Sequence, residues 1–369
     1  FAAAWSPALA NIVTIGFFCL LPLTKSGDNL SIDSVQNDQA AIWVLGLGTT
    51  LGIVVMALVQ GIAVFRHGMR FTFAPRFAHP AVKKLVQLSL WTLGYVAANQ
   101  VALVVIKNLA SPGSGGVDAY SKAFVLLQLP HGLLAVSIAT TFVPELARMF
   151  HRGDHQQFSR TMSSGIRLTA LLTIPASCGL LVMSKPIIGL LFQHGNFSAA
   201  ATENTARALS GLAIGLAGFS IYLFVLRGFY ARNDTRTPFF INIGENAINI
   251  VLAIVLVDRH GVFGLGLAFS IAYLVSALVA LLVLESTEVD IKLSELAFNI
   301  ARIALAAGAM TCAVWFVIQY IGSDAGLGAL TRVIAGTLIG VTTYVVALSA
   351  LGEKTMRDYL SSKITKSSR

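Results

Sequence analysis

The sequence predicts an all-α polytopic membrane protein, and three observations support this fold class. Of its 369 residues, 56% are hydrophobic and only 12% are charged, with a mean hydropathy of +0.76, whereas a soluble domain carries about 25% charge. The apolar runs are long and lack period-two alternation, which favours membrane helices over strands. The basic residues cluster in every second linker between those runs.

Ten apolar segments are long enough to cross a bilayer as helices. They cover roughly residues 3–22, 41–65, 84–109, 118–149, 159–183, 204–230, 238–257, 262–284, 297–321 and 328–351. The linkers are short, so we expect neighbouring helices to pack together in one or two bundles. The chain begins inside an apolar run and without Met, so we expect further helices to precede residue 1 in a longer protein.

The basic residues predict the orientation of the chain. If residue 1 lies on the cytoplasmic side, 19 of the 26 Lys and Arg residues fall in cytoplasmic linkers or the tail, and six fall on the opposite side. Such an excess is typical of cytoplasmic loops, so we expect both ends of this chain in the cytoplasm. The net charge of +9 follows from these loops, and we therefore expect membrane lipids and no nucleic acid as partners.

Prolines and one short apolar stretch interrupt the regular pattern. Pro130 and Pro144 lie in the fourth segment, and Pro175 is predicted to break the fifth, because proline removes a backbone hydrogen bond and bends the helix axis. The apolar part of residues 184–202 is too short to span a membrane. We expect an interfacial or lid-like turn there.

The stretch Arg227–Pro238 forms a basic hairpin between the sixth and seventh segments. Arg227, Arg232 and Arg236 stand against a single acid, Asp234, which predicts a cytoplasmic loop. The residues around Asp234 supply turn and N-cap chemistry for the next helix. We interpret the arginines as anchors of that helix to the anionic inner leaflet.

No catalytic constellation is visible in the sequence. It contains no phosphate-binding glycine loop, no zinc-binding histidine pair and no Asp-rich pair of the kind that binds magnesium. The three cysteines lie inside apolar runs and predict neither a disulfide framework nor a metal site. We therefore expect a transporter without a metal or other cofactor rather than an enzyme.

Glu245 is an acidic residue inside the seventh segment, about 11 Å along the helix from Pro238 at ~1.5 Å per residue. Asn249 shares its helix face at the i+4 position, and Asn242 and Asn246 flank it. An acid at this depth is costly to bury and is usually functional. One interpretation is a protonatable or cation-linked coupling site, and the other is a protonated Glu that is hydrogen-bonded between helices.

Four further polar residues within helices are candidates for the wall of a substrate cavity. Lys122 could attract an anionic substrate, but it is close enough to a helix end to reach water, and Asp118 at i−4 is spaced for a local ion pair. Asn99, Gln100 and Gln128 could contact substrate, although neutral polar residues in membrane helices more often bond to neighbouring helices.

Three stretches resemble the MurJ (MviN) family of lipid II flippases, within the multidrug/oligosaccharidyl-lipid/polysaccharide exporter superfamily. They are residues 128–148, residues 190–198 followed by 205–209, and residues 228–238. The similarity extends over nearly the whole chain, and its middle helices are most similar to actinobacterial members.

The resemblance implies a fourteen-helix, two-lobe flippase fold of which this chain contains helices five to fourteen. The implied division has five parts. They are the last two helices of the first lobe (residues 1–65), a basic linker (66–83), the second six-helix lobe (84–284), two helices that form a lipid groove (285–351) and a basic tail (352–369).

The sequence departs from the family pattern at two places. Where many members have an arginine in the eighth helix, this chain has Val125, and Lys122 one turn away could replace it. Some members bind sodium through an Asn and two acidic positions. Asn249 matches the Asn, but Ala253 and Ile106 stand at the acidic positions, so a sodium site is not expected here.

The function that the resemblance implies is the flipping of lipid II from the inner to the outer leaflet of the bacterial cytoplasmic membrane by alternating access. Lipid II, membrane lipids and cell-wall synthesis proteins are the implied partners, and a proton gradient or the membrane potential is the implied energy source. Two alternatives remain open: a flippase for another polyprenyl-linked glycan, and a membrane enzyme that acts on polyprenyl phosphates.

Overall fold

The structure, a computed structural model, describes residues 2–24, 35, 37–66, 80–111, 114–287 and 291–352. The chain divides into two compact units, Phe1–Phe77 and Ala78–Arg369. Residues 67–79 of the predicted basic linker 66–83 lie outside the described residues, as does the predicted tail 352–369 from residue 353 onward.

The first unit is a pair of packed helices, α1 (Ala2–Phe18) and α2 (Gln39–Arg66). They approach closely at Gly52, where an added Cβ would lie 2.9 Å from the carbonyl oxygen of Ala10. Polar side chains join them as well: Thr14 Oγ1 donates to the Gly48 carbonyl at 3.3 Å, and Gln60 Nε2 donates to Ser6 Oγ at 2.9 Å. Small residues at such crossings let membrane helices pack backbone to backbone.

The described residues of the second unit form eleven α-helices. In chain order they are α3 (Pro80–Leu109), α4 (Gly116–Pro130), α5 (Ser137–His151), α6 (His155–Val182), α7 (Ser184–Phe192), α8 (Ala199–Ala213), α9 (Leu216–Ala231), α10 (Arg236–His260), α11 (Val262–Glu285), α12 (Leu293–Tyr320) and α13 (Gly326–Ala350). A π-helical turn, His131–Val136, joins α4 to α5.

Within the described ranges, nine spans are long and apolar enough to cross a membrane when α4, the π turn and α5 count as one. The number is ten if α8 and α9 form a single bent span. The predicted all-α polytopic fold with about ten spans is thereby confirmed. Stretch 184–202, predicted as a turn, forms the nine-residue helix α7 and the start of α8.

The helix irregularities only partly follow the prolines. The expected break at Pro175 is wrong, because α6 continues through it from His155 to Val182. At Pro130 the helix does change, passing into the π turn. The sixth span, predicted as one segment at residues 204–230, is bent by 47° between α8 and α9 although no proline lies there.

A serine of a neighbouring helix accounts for this bend. Ser270 of α11 donates from Oγ to the carbonyls of Gly211 at 2.6 Å and Leu212 at 3.2 Å, and Ser177 of α6 donates to the Ala213 carbonyl. A side chain that enters the i→i−4 ladder kinks a helix. Gly215 makes room for it, since an added Cβ there would lie 2.5 Å from Ser270 Cα.

Contacts between linkers identify two ends of the second unit. At one end, Arg232 of the hairpin donates to Thr287 beyond α11, and its guanidinium lies 5.5 Å from the Phe150 ring of α5. At the other end, Lys185 before α7 pairs with Glu203 of α8 and Asp324 before α13. We refer to these as the inner end and the outer end, following the orientation predicted from the charges.

Candidate functional site

A polar cluster joins α3 to α10 and contains the half-buried Asn99 together with the buried Asn242, Glu245, Asn246 and Asn249. Asn99 and Asn242 exchange side-chain amide hydrogen bonds at 3.4 and 3.3 Å, and Asn246 Nδ2 donates to Asn99 Oδ1 at 3.3 Å. The four residues on α10 follow the three-and-four spacing of one helix face, and all four are buried. These asparagines therefore connect two membrane helices, and they surround the acid.

Glu245 is 1% exposed, and its Oε2 accepts one hydrogen bond, from Asn242 Nδ2 at 3.4 Å. Four tyrosines have phenol groups within electrostatic range of its carboxyl: Tyr95, Tyr120, Tyr222 and Tyr273. Across the described residues no Lys or Arg forms an ion pair with it. An ionised carboxylate without a cation is expensive in such surroundings, so the neutral acid fits them better.

Among the described residues of this cluster, Asn249 Oδ1 is buried without a hydrogen-bond partner. Buried oxygen atoms are nearly always hydrogen-bonded in folded proteins, so each unsatisfied atom calls for an explanation. At the two positions where family members that bind sodium have acids, Ala253 is fully buried and Ile106 is 2% exposed. These apolar side chains offer no carboxylate to a cation at Asn249.

The structure brings only some of the predicted polar residues together. Asn99 joins Glu245 and its neighbours, but Gln100 and Gln128 are exposed. Lys122 forms the ion pair with Asp118 that the i−4 spacing predicts, and its Nζ lies 5.4 Å from the centre of the Phe197 ring. Lys122 therefore belongs to the outer end of α4 and has no contact with the polar cluster.

The hairpin residues act at the inner end of α10. Asp234 Oδ1 accepts the backbone N–H groups of Arg236 and Thr237, both at 3.0 Å, and so caps the helix. The guanidinium of Arg236 lies 5.8 Å from the ring centre of Trp91 on α3, while Arg227 is exposed. The hairpin thus holds α10 against α3 one to two turns from the polar cluster.

An apolar groove of about 690 Å³ runs between α4, α6, α7, α12 and α13. It is lined almost entirely by aliphatic side chains and a few small residues. The lining residues include Met183, Ile187, Leu191, Met310 and Gly336. Tyr344 Oη donates to the Leu171 carbonyl at 2.7 Å and ties α13 to α6 along the groove.

Sequence reasoning missed the outer ion cluster, which consists of Lys185, Glu203, Asp324 and Arg332. Lys185 Nζ lies 3.1 Å from Glu203 Oε2 and 3.5 Å from Asp324 Oδ2, and Arg332 pairs with Asp324. Arg332 Nε also donates to the Ile321 carbonyl at 2.7 Å. The Glu203 carboxylate, helped by Asp324, raises the pKa of Lys185 above its ordinary value of 10.5.

Comparison with known proteins identifies relatives over most of the chain. A family model described as lipid II flippase MurJ matches residues 1–336. A protein named "Probable lipid II flippase MurJ" from Rhizobium meliloti is 30% identical over 348 residues, which cover 94% of this chain and 63% of that protein. A protein of the same name from Vibrio cholerae is 28% identical over 312 residues, which cover 84% of this chain and 59% of that protein. The chain therefore spans less than two thirds of the length of these relatives.

Solved structures show the same fold. The lipid II flippase MurJ in an inward closed conformation aligns with a TM-score of 0.70 and 22% identity, covering 97% of this chain and 68% of that one. An outward-facing multidrug resistance MATE family transporter of the MOP superfamily aligns with a TM-score of 0.50 and 20% identity. The alignment covers 72% of this chain and 64% of that one. At these identities the likeness concerns the fold alone.

Proposed function

Since the chain belongs to the MurJ family of lipid II flippases, we propose that its protein carries lipid II from the inner to the outer leaflet of the bacterial cytoplasmic membrane. Lipid II is a disaccharide-pentapeptide joined through a diphosphate to an undecaprenyl tail. The family match over residues 1–336 is the observation that carries this proposal.

The apolar groove supports the proposed substrate. An isoprenoid tail is a long, flexible hydrocarbon, and the groove offers it an aliphatic surface between the second lobe and helices α12 and α13. Burying hydrocarbon against such a surface is favourable by roughly 25 cal/mol per Å² of apolar area. The tail would remain at the groove while the polar headgroup crosses the membrane inside the protein.

The helix irregularities support transport by alternating access. Membrane transporters of this kind expose a central site to each side in turn, through rocking of helical bundles. The π turn between α4 and α5 and the 47° bend between α8 and α9 are places where a span already departs from a straight helix. Such turns often occur at functional sites.

Glu245 is the proposed coupling residue, with Asn249 beside it. A proton that binds to Glu245 in one conformation and leaves in the other would link the cycle to the proton gradient or membrane potential. The Glu245→Gln variant mimics the protonated acid, and we expect it to abolish the pH dependence of flipping. Full wild-type activity of this variant across the whole pH range would contradict proton coupling.

The proposed setting is the cytoplasmic membrane with both ends of this chain in the cytoplasm, following the excess of basic residues in the inner-end linkers. Lipid II and membrane lipids are the proposed partners, together with the cell-wall synthesis proteins that would use the flipped product. No cofactor is part of the proposal.

The decisive experiment uses the full-length protein in two assays. In a bacterium whose own flippase is depleted, its expression should restore growth and prevent lipid II from accumulating. In proteoliposomes, it should move fluorescent lipid II between leaflets. Failure in both assays would refute the proposal, and transport of another polyprenyl-linked glycan without lipid II would reassign the substrate.

A further inference from the structure

A polar cavity of about 730 Å³ lies between the first turns of α6 and of α12. The ring of His155, which lines it, lies 6.2 Å from the ring of Phe150, so the cavity belongs to the inner end. The α6 residues that line it lie along one helix face from His155 to Arg167. Since the predicted spans of α6 and α12 begin near residues 159 and 297, the cavity lies where both helices enter the membrane.

The charge of this cavity is positive. Among the described residues that line it, Arg160, Arg167 and Lys292 are cations, and Glu295 is the one carboxylate. No carboxylate in the described ranges lies within ion-pair distance of Arg160 or Lys292. Basic pockets between membrane helices at the cytoplasmic boundary are suited to the phosphate groups of lipids. The cavity therefore has the charge and the position of a site for a phosphate-bearing lipid.

The wall that α12 contributes is built in advance. Lys292, at the N-cap of α12, has a left-handed backbone with φ 49° and ψ 64°. Such a conformation is costly for a residue with a side chain and persists where its surroundings impose it. Ser163 of α6 supplies one such constraint, because its Oγ donates to the Ile291 carbonyl at 3.3 Å. The turn before α12 is thereby fixed against α6, with Lys292 at the cavity.

The size and the neutral polar groups of the cavity indicate a whole headgroup rather than a single phosphate ion. Its volume lies in the range of sites that hold small organic ligands. Gln156, Ser164 and Asn299 line it beside the cations, and their amide and hydroxyl groups can both donate to and accept from the hydroxyls of a ligand. A phosphate joined to a polyol matches this combination of groups.

We propose that this cavity binds the headgroup of an anionic phospholipid, with the phosphate on Arg160 and Lys292 and a polyol on Ser164 and Asn299. The acyl chains would remain in the leaflet at the inner end, and the bound lipid would hold α12 against α6. This inference goes beyond the proposed function, because the lipid is a component of the surrounding membrane and not the transported substrate.

Charge changes of opposite sign test the site. The full-length protein, delipidated in detergent, is titrated with dioctanoyl phosphatidylinositol, and native mass spectrometry measures binding. Arg160→Gln and Lys292→Gln should each weaken binding about fivefold, because each removes a cation from the phosphate. Glu295→Gln should strengthen binding about threefold, because it removes a carboxylate that repels the phosphate. Misfolding cannot produce such a gain.

The control variant separates the cavity from general surface charge. Arg152→Gln removes an exposed cation of the same end that does not line the cavity, and it should leave binding unchanged. An equal loss in Arg152→Gln and Arg160→Gln would overturn the inference, as would unchanged binding in both Arg160→Gln and Lys292→Gln. Arg160 and Lys292 are exposed, so both variants should fold, which thermal unfolding without lipid verifies.

Three further ligands test the chemistry of the headgroup. Dioctanoyl phosphatidylcholine, dioctanoyl phosphatidate and inositol 1-phosphate should each bind about tenfold more weakly than dioctanoyl phosphatidylinositol. Equal binding of phosphatidylcholine would show that the site does not select anions, and equal binding of phosphatidate would show that it does not use the polyol. Equal binding of inositol 1-phosphate would assign the cavity to a soluble phosphate, and each of these three results overturns the inference.

Discussion

At the scale of single residues, hydrogen bonds between helices offset the cost of placing polar groups inside the membrane. Asn99 donates to the Tyr95 carbonyl and Asn242, and accepts from Asn242 and Asn246. Its partners on α10 are 143 and 147 residues away. The sequence predicted that Asn99 and Glu245 lie within membrane helices, but local spacing holds no information on a partner so distant.

The first residue-scale prediction concerns this amide cluster. Asn99→Leu should lower the free energy of unfolding by about 1–2 kcal/mol, because it removes interhelical hydrogen bonds worth roughly 0.6 kcal/mol each and leaves their partners unsatisfied. Thermal unfolding in detergent measures the effect. Gln100→Leu, at the exposed neighbouring position, is the matched control and should change stability little.

The second residue-scale prediction concerns the pH dependence of Lys185. Its folded-state pKa is raised by Glu203 and Asp324, so its contribution to stability is complete below the ordinary value of 10.5 and is lost as the pH rises through the higher folded value. The difference in unfolding temperature between wild type and Lys185→Gln should therefore be constant from pH 7 to pH 9 and shrink above about pH 10.5. Thermal unfolding of the two proteins at each pH measures this difference, and a difference that stays constant up to about pH 12 would contradict the prediction.

At the scale of the elements, hydropathy determines the spans, and neighbouring helices determine their shape. The ten predicted segments were assigned from apolar length alone, and their ends agree with the described helices to within a few residues. The bend between α8 and α9 escaped it, because its cause is Ser270, 59 residues from Gly211. Conversely, Pro175 was predicted to break α6 but does not, since a proline in a membrane helix can be accommodated when neighbours satisfy the freed carbonyl.

The element-scale prediction tests the contact between α11 and the bend that separates α8 from α9. Gly215→Ala places a Cβ 2.5 Å from Ser270 Cα, and one of the helices must move. We expect a loss of about 1–3 kcal/mol in unfolding free energy and reduced transport, since overpacking a tight contact is destabilising. Gly244→Ala on α10, where a Cβ would meet nothing within 4 Å, should be neutral in the same measurements.

At the scale of the whole molecule, each end of the second unit is held by one set of charged contacts. Arg232 joins the hairpin, Phe150 and Thr287 at the inner end, and the outer ion cluster joins α7, α8 and the linker before α13. The sequence placed these linkers on common sides through their charge. It could not show which residues meet, because Lys185 and Asp324 are 139 positions apart in the chain.

The molecular-scale prediction concerns the inner end. Arg232→Gln should lower the free energy of unfolding by about 1–2 kcal/mol through loss of the Thr287 hydrogen bond and the contact with Phe150. Arg232→Lys should recover only part of this, because an ammonium group lacks the planar guanidinium. Arg227→Gln, at an exposed position of the same hairpin, is the control, and equal losses in both variants would contradict a specific role for Arg232.

The π turn His131–Val136 has one more consequence, for how this span tolerates insertion and deletion. A π turn holds about one residue more than an α-helical turn, and one residue rotates an α-helix by roughly 100°. Deleting Gly132 would let α4 and α5 continue as one regular helix, and because the π turn already absorbs the rotation of one residue, the buried face of α5, with Ile138, Ala139 and Leu146, would keep its direction. The turn thus lets the span hold one additional residue without a change in the rotational phase of its two halves, whereas deleting a residue of α5 itself would rotate the part that follows by roughly 100°.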